Sequence, residues 1–209
     1  GKTVILGCGY GTGWKKLQQT LKSATPSVDL PDDRCQEIIK IYREINYKIV
    51  ELWRRCDSML ELFTSKESIP DNTYIDNYNV LQVKPGFINL PNNFKVRYPE
   101  LESVVEDDRR KYKYQKQRRG GKVYIWGGSV VENVVQALAR CIVAEQMLKV
   151  SKKYKVVLTV HDSVVAIIPS EETEEATKYI EECMSIAPVW AKGLPITCES
   201  SFGKSYGSC

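Results

Sequence analysis

Histidine is nearly missing from this chain: His161 is the single one in 209 residues, so a centre assembled from several imidazoles is excluded. Cysteine is present but unpatterned. The seven (Cys8, Cys35, Cys56, Cys141, Cys183, Cys198, Cys209) are odd in number, widely spread and without a C-x-x-C pair, which argues against a zinc site or a disulfide framework and for a reducing, intracellular setting. No apolar run approaches the ~18 residues of a membrane span, so no membrane partner is expected. Internal repeats are lacking too. Position 1 is Gly rather than Met, within what reads as an ordered element, so the chain is expected to be a piece of something longer. The charge excess is small, +4, and is too modest to argue for nucleic acid without knowing where the charges lie. What remains is 43% hydrophobic and 27% charged residues, enough for one large or two small globular domains. The order of helical and strand-like segments is that of a mixed α+β protein.

Residues 1–13, GKTVILGCGYGTG, place an apolar run before Gly7, Gly9, Gly11 and Gly13 and a helical WKKLQQTLK after them. A nucleotide-binding or methyl-donor-binding strand, turn and helix has this pattern. Asp29 lies near the distance expected of a ribose-binding acid, but the helical stretch that follows breaks the α/β alternation such a fold requires. Cys35, Ile38, Tyr42, Ile45, Ile49, Leu52, Cys56, Met59 and Phe63 follow three-four spacing, which predicts one long helix over 33–64 or two nearly continuous ones, opened by Asp33 and Gln36 as a capping pair. Residues 65–128 are mixed, with strands expected at Val80–Val83, Lys95–Tyr98 and Val123–Trp126. There an acidic cluster gives way to RRKYKYQKQRRGGK, basic residues interleaved with Tyr112 and Tyr114. That composition suits phosphate contact and base stacking, and equally a solvated loop. Ser129 and Glu132 read as a capping box opening a helix that buries Val131, Val134, Val135, Leu138, Cys141, Ile142 and Leu148, and leaves Glu132, Gln136 and Arg140 as a polar stripe.

In KVVLTVHDSVVAIIP, two β-branched runs, Val156–Val160 and Val164–Ile168, flank His161, Asp162 and Ser163, a hairpin signal that sets a carboxylate at a turn. Turn chemistry alone accounts for an Asp there. A last amphipathic helix (Ala176, Ile180, Cys183, Ala187) and a strand at Leu194–Cys198 complete the reading.

Three of these segments, in this order, resemble the carboxy-terminal part of family A DNA polymerases, especially the compact phage type. Lys2 with Tyr10 and Gly11 is similar to the fingers helix that lines the incoming-nucleotide pocket. ENVVQALAR, Glu132 to Arg140, resembles the primer-template contact helix. VHDSVV resembles the palm hairpin whose Asp binds the catalytic metals, and WAKGLP near the end also looks phage-like. The resemblance implies a partial palm (an antiparallel sheet carrying that hairpin) plus a helical fingers segment. The fingers-like region would span 1–64, a mixed connecting region with a basic loop at 109–122 would span 65–128, and a palm-like region would span 129–209. It implies template-directed DNA synthesis, with primer-template DNA and dNTPs as partners. Lys2, Leu6, Tyr10 and Gly11 would bind the nucleotide, and Leu6 stands where the family usually has an aromatic residue. Gln136, with Asn133 and Arg140, would contact the duplex minor groove, whose acceptors are nearly independent of sequence. Arg118 and Arg119 would contact DNA from the basic segment, and His161 would support the primer terminus. Asp162 would ligate Mg²⁺ in a two-metal site.

The family's first metal-binding Asp lies upstream of the fingers helix, and Ser163 follows Asp162 where Glu is usual. One carboxylate does not assemble a two-metal site, so the chain is expected to be a fragment or subunit, inactive until an upstream polymerase segment supplies the missing Asp. Rival readings are a non-catalytic nucleic-acid-binding remnant, a methyl-donor enzyme using GCGYGTG, and a hydrolase using His161, Asp162 and Ser163. The last is disfavoured because consecutive residues point in alternate directions.

Overall fold

The computed structural model describes residues 2–65 and 67–209; Gly1 and Lys66, which fall within the ranges expected above, lie outside the described residues. The chain is α+β, with six helices and small antiparallel sheets, and it divides into two compact units, Gly1–Val134 and Val135–Cys209. Among the described residues no helix is long and apolar enough to cross a membrane.

Unit 1 opens with α1 (Lys2–Gly9), α2 (Trp14–Lys22), α3 (Asp32–Ile45) and α4 (Tyr47–Thr64). At nine residues α2 is too short to hold itself helical in water. Leu17 and Leu21, one turn apart, are buried against Cys8 of α1 and Ile39 of α3. Each contributes about 2 kcal/mol on burial, more than the helix lacks, and Leu17→Ala costs about 2–5 kcal/mol. The 33–64 periodicity resolves into the two-helix alternative, broken at Asn46 (φ −100°, ψ 39°), whose backbone and side-chain nitrogens both donate to the Tyr42 carbonyl at 2.9 Å. Cys35, Cys56 and Met59 of the expected stripe are buried on both sides of the break, and Ile39 and Trp53, beside it, widen the buried face; Ile45, next to the break, is exposed. The expected Asp33–Gln36 cap is replaced by Pro31 at the N-cap, with no side-chain bond; Asp32 and Asp33 sit in the first turn, where their charge favours the helix dipole.

Two three-stranded antiparallel sheets follow, β1 (Gln82–Lys84), β2 (Phe87–Asn89), β3 (Lys95–Arg97), and β4 (Glu102–Glu106), β5 (Arg109–Tyr114), β6 (Val123–Ile125), each in sequence order. Val83 pairs with Ile88 and Ile88 with Val96, so one face of the first sheet is apolar; Val83 and Ile88 are fully buried. The strands expected near 80, 95 and 123 are present with shifted ends. The basic stretch from Arg109 to Tyr114 is a strand, where a loop was the alternative, because Tyr112 buries its ring while its neighbours face outward.

Helix α5 (Gly127–Val150) begins two residues before Ser129, and the expected Ser-x-x-Glu box is not what caps it. The Asp57 carboxylate of α4 accepts the Gly127 amide at 2.5 Å. The close approach requires glycine, since a Cβ at 127 would lie 1.9 Å from the Trp53 carbonyl oxygen. Val134 and Cys141 are buried as expected, but Val135 and Leu148 are exposed and Val130, Val143, Gln146 and Val150 take the interior.

In unit 2 the hairpin β7 (Lys155–Val160) and β8 (Ser163–Ile167) packs through Val156, Val164 and Ala166 on Val150 of α5 and on Cys183 and Met184 of α6 (Thr173–Met184). Gln146 is buried because its amide donates to the Met184 and Ile186 carbonyls at 2.6 and 3.1 Å. Leu194–Cys198, expected as a strand, is irregular: no described strand pairs with it, and Leu194 is exposed.

Candidate functional site

Helix α1 has two faces. Val4 and Cys8 pack inward, and burial pushes the Cys8 thiol up. Lys2, Leu6 and Tyr10, spaced by four, share the opposite, exposed side. The helix closes with the Gly11 amide donating to the Cys8 carbonyl at 2.9 Å and the Thr12 amide to Gly7 at 3.0 Å, while Gly11 turns left-handed at φ 72°. This is a Schellman ending, which glycine alone makes without strain. The glycine-rich start is thus a helix terminus. The strand that the methyl-donor reading needs before the glycines is helix instead, and that reading loses its basis.

Gly11 is held from the other side by a residue that sequence reasoning passed over. A Cβ there would stand 2.1 Å from the Trp126 ring. Trp126 packs edge-on against Trp53 at 5.6 Å between centroids, so the turn presenting Tyr10 rests on a tryptophan pair. Four glycines in seven residues followed by aromatic-rich helices was the available signal; which aromatic met which glycine was not.

On α5, Gln136 and Arg140 share one exposed face. Asn133 is half-buried, the polar neighbour of the Tyr98 hydroxyl, whose burial pushes its pKa up and which makes no well-formed hydrogen bond. The basic segment divides in two. Arg110 pairs with Glu61, Lys111 and Lys113 both reach Glu106 at 3.2 and 2.8 Å, and Lys122 reaches Glu102 at 3.0 Å. Lys113, the Tyr124 hydroxyl and Lys111 together hold the Glu106 carboxyl down at about 2. Arg118 and Arg119, in the bend that follows, are exposed and form no ion pair among the described residues.

The β7–β8 hairpin turns in two residues, His161 and Asp162, with Val160 paired to Ser163 across it. His161 takes φ 53°, a left-handed conformation that costs a non-glycine residue energy and gathers at functional turns. Both side chains are exposed at the tip, and the Asp162 carboxylate accepts no hydrogen bond and joins no ion pair among the described residues. Ser163 lies within β8, and its hydroxyl donates to the Val160 carbonyl at 2.8 Å, so it is engaged away from His161 and the serine-hydrolase reading fails.

The structure therefore groups Lys2, Leu6, Tyr10 and Gly11, groups Gln136 with Arg140, and sets His161 beside Asp162. Among the described residues no three His, Cys, Asp or Glu side chains come together as metal ligands.

The chain is similar to a DNA polymerase of Bacillus phage SP02, 29% identical over 210 residues that cover 95% of this chain and 31% of that protein. It thus spans about a third of the length of the curated relative it matches. This likeness supports a DNA polymerase relationship. No family model matches the chain, and no solved structure does.

Proposed function

We propose that this chain is the nucleotide- and DNA-handling part of a family A type DNA polymerase. In the reaction it serves, the primer 3′-oxygen attacks the α-phosphorus of a dNTP and pyrophosphate leaves. One observation carries the reading. A carboxylate without a partner among the described residues stands at the tip of an otherwise apolar hairpin, in a chain similar over 95% of its length to a part of a phage DNA polymerase. An acid that stabilises the fold is normally neutralised by it; this one is left for something that is not part of the unit.

The roles follow from chemistry and position. The Lys2 ammonium is a point charge for the triphosphate. Tyr10, on the same exposed side, offers a stacking face to the base, and Gly11 allows close approach. Leu6 between them faces the sugar with an aliphatic surface in place of an aromatic one. Gln136 and Arg140 read minor-groove acceptors with Asn133 beside them, Arg118 and Arg119 meet phosphate, and His161 holds the primer end near Asp162. Asp162 contributes a single ligand toward Mg²⁺. In this reading a further carboxylate comes from a segment beyond this chain, which spans about a third of the relative it matches, and the chain alone is inactive.

Primer extension tests both statements. The chain alone with primed template, dNTPs and Mg²⁺ is expected to give no product, and a longer polymerase that contains it is expected to extend until Asp162→Asn is introduced. Extension by the isolated chain would overturn the completion from outside; undiminished extension by the Asp162→Asn polymerase would overturn the site. DNA binding by the longer protein without extension would favour the non-catalytic remnant.

A further inference from the structure

A cavity of about 810 Å³ opens in unit 1 beside the Gly11 turn, and none of the nucleotide-binding side chains of α1 lines it. Its walls hold three of the chain's four tryptophans, Trp14, Trp53 and Trp126, with Tyr47 at the mouth. Trp126 is the shared wall, since its ring also touches the place where a Cβ of Gly11 would stand. Arg43 and Arg54 line the same opening.

The charges there are unevenly committed. Glu51 is held by Arg55 at 2.8 Å, Asp57 accepts the Gly127 amide, and Glu44 lies 3.9 Å from Lys40. Burial also raises the Asp57 pKa, which disfavours its charged form. Arg43 and Arg54 form no ion pair among the described residues, so the opening keeps two guanidinium groups free beside aromatic faces. An exposed arginine by itself is ordinary surface, and an indole by itself is ordinary core. Their coincidence around one open cavity is the combination that takes a flat π-face on one side and a phosphodiester on the other. The opening exceeds what one base fills, so its occupant is a short run of strand.

We propose that this cavity is a stacking subsite for single-stranded DNA, in which bases lie against Tyr47, Trp14 and Trp126, with Trp53 buried behind them, while Arg43 and Arg54 meet the backbone. It deepens the polymerase reading and rests on it for the class of ligand, with Trp126 joining the strand's site to the turn that presents Tyr10.

The indoles are their own reporters. Trp190, the fourth tryptophan, donates to Glu145 in unit 2, and in the Trp190→Phe chain every remaining indole lines the cavity. That chain is titrated with a short oligothymidylate and with an abasic deoxyribose-phosphate oligomer of equal length, following tryptophan fluorescence. Quenching by the first and none by the second is expected. Tyr47→Ala and the double variant Arg43→Gln/Arg54→Gln are each expected to weaken oligothymidylate binding about 10-fold. The double variant is also expected to lower the salt slope by about 1.4, the value of two charges on a single strand. All three substituted residues are exposed, and a thermal melt matching the parent shows that the fold is kept. An equal response to the abasic oligomer overturns the proposal, as does unchanged affinity in the correctly folded variants. Saturation by dTTP at the same concentration as the oligomer overturns it in favour of a free-nucleotide site. Anisotropy with primed duplex, run in parallel, separates the two readings: duplex binding without quenching by single strands removes the cavity and leaves the polymerase reading standing.

Discussion

Two hairpins in this chain each close on two residues, one left-handed at both turn positions and the other at its first alone, and their acids meet opposite fates. β4–β5 closes around Asp107 and Asp108, at φ 53° and 56°, between the paired Glu106 and Arg109. β7–β8 closes around His161, at φ 53°, and Asp162, between the paired Val160 and Ser163. In the first, Asp107 is answered by Lys111 at 3.2 Å and Glu106 by Lys111, Lys113 and Tyr124, while Asp108 joins no ion pair among the described residues. In the second the strands are apolar and nothing described answers Asp162. An acidic turn is therefore uninformative as a local pattern. What separates structure from function is whether the strands behind it carry counter-charges.

The largest effect that tests this contrast is on catalysis. In a longer polymerase containing the chain, Asp162→Asn is expected to lower primer extension about 10³-fold or more, the scale of losing a metal ligand's several kcal/mol. Asp107→Asn is expected to leave it unchanged; an equal loss from both would erase the distinction between the hairpins. Next in size is DNA binding. Neutralising Arg118 and Arg119 together is expected to lower the salt slope on duplex by about 1.8, whereas neutralising Lys111 and Lys113, already spent on Glu106, is expected to leave it nearly unaltered. The same two titrations would reverse that order if the strand were the DNA-facing half.

Smaller is the backbone term. Asp108→Gly and His161→Gly each relieve a left-handed residue and are expected to stabilise the fold by about 0.5–1 kcal/mol in urea melts, with only His161→Gly also impairing extension. Smallest is a pH effect. Glu106 is held at about 2 against an ordinary 4.5, so its contribution to stability is present above pH 4.5 and is lost as pH falls toward 2. Glu106→Gln is expected to flatten the urea midpoint across that window. These pairs are half-buried and still reached by solvent, and their effect is correspondingly modest.

Much of this was legible before any coordinates. The hairpin at His161–Asp162, α2, and a two-helix alternative over 33–64 all followed from periodicity and turn residues, because hydrophobic spacing reports which side of an element faces inward. The details that failed were those decided by partners distant in sequence. Ile45, next to the break at Asn46, is left exposed, and Asp57, seventy positions before Gly127, displaced the Ser129 cap. The basic segment read as one stretch, yet pairing with β4 neutralised its first half and left Arg118 and Arg119. Asn133 sat in the same motif as Gln136, and the burial of Tyr98 drew it half inside.

By itself, then, the sequence determined the amphipathic helix at 14–22, a glutamine-bearing helix and an Asp at a hairpin tip. Each depends on neighbours within one or two turns, and that spacing is written in the chain. Tertiary structure alone decided which charges are answered and which are not, and gathered Trp14, Trp53 and Trp126 around one cavity beside Gly11. Those outcomes depend on contacts between residues up to about a hundred positions apart, and local spacing carries no information about them.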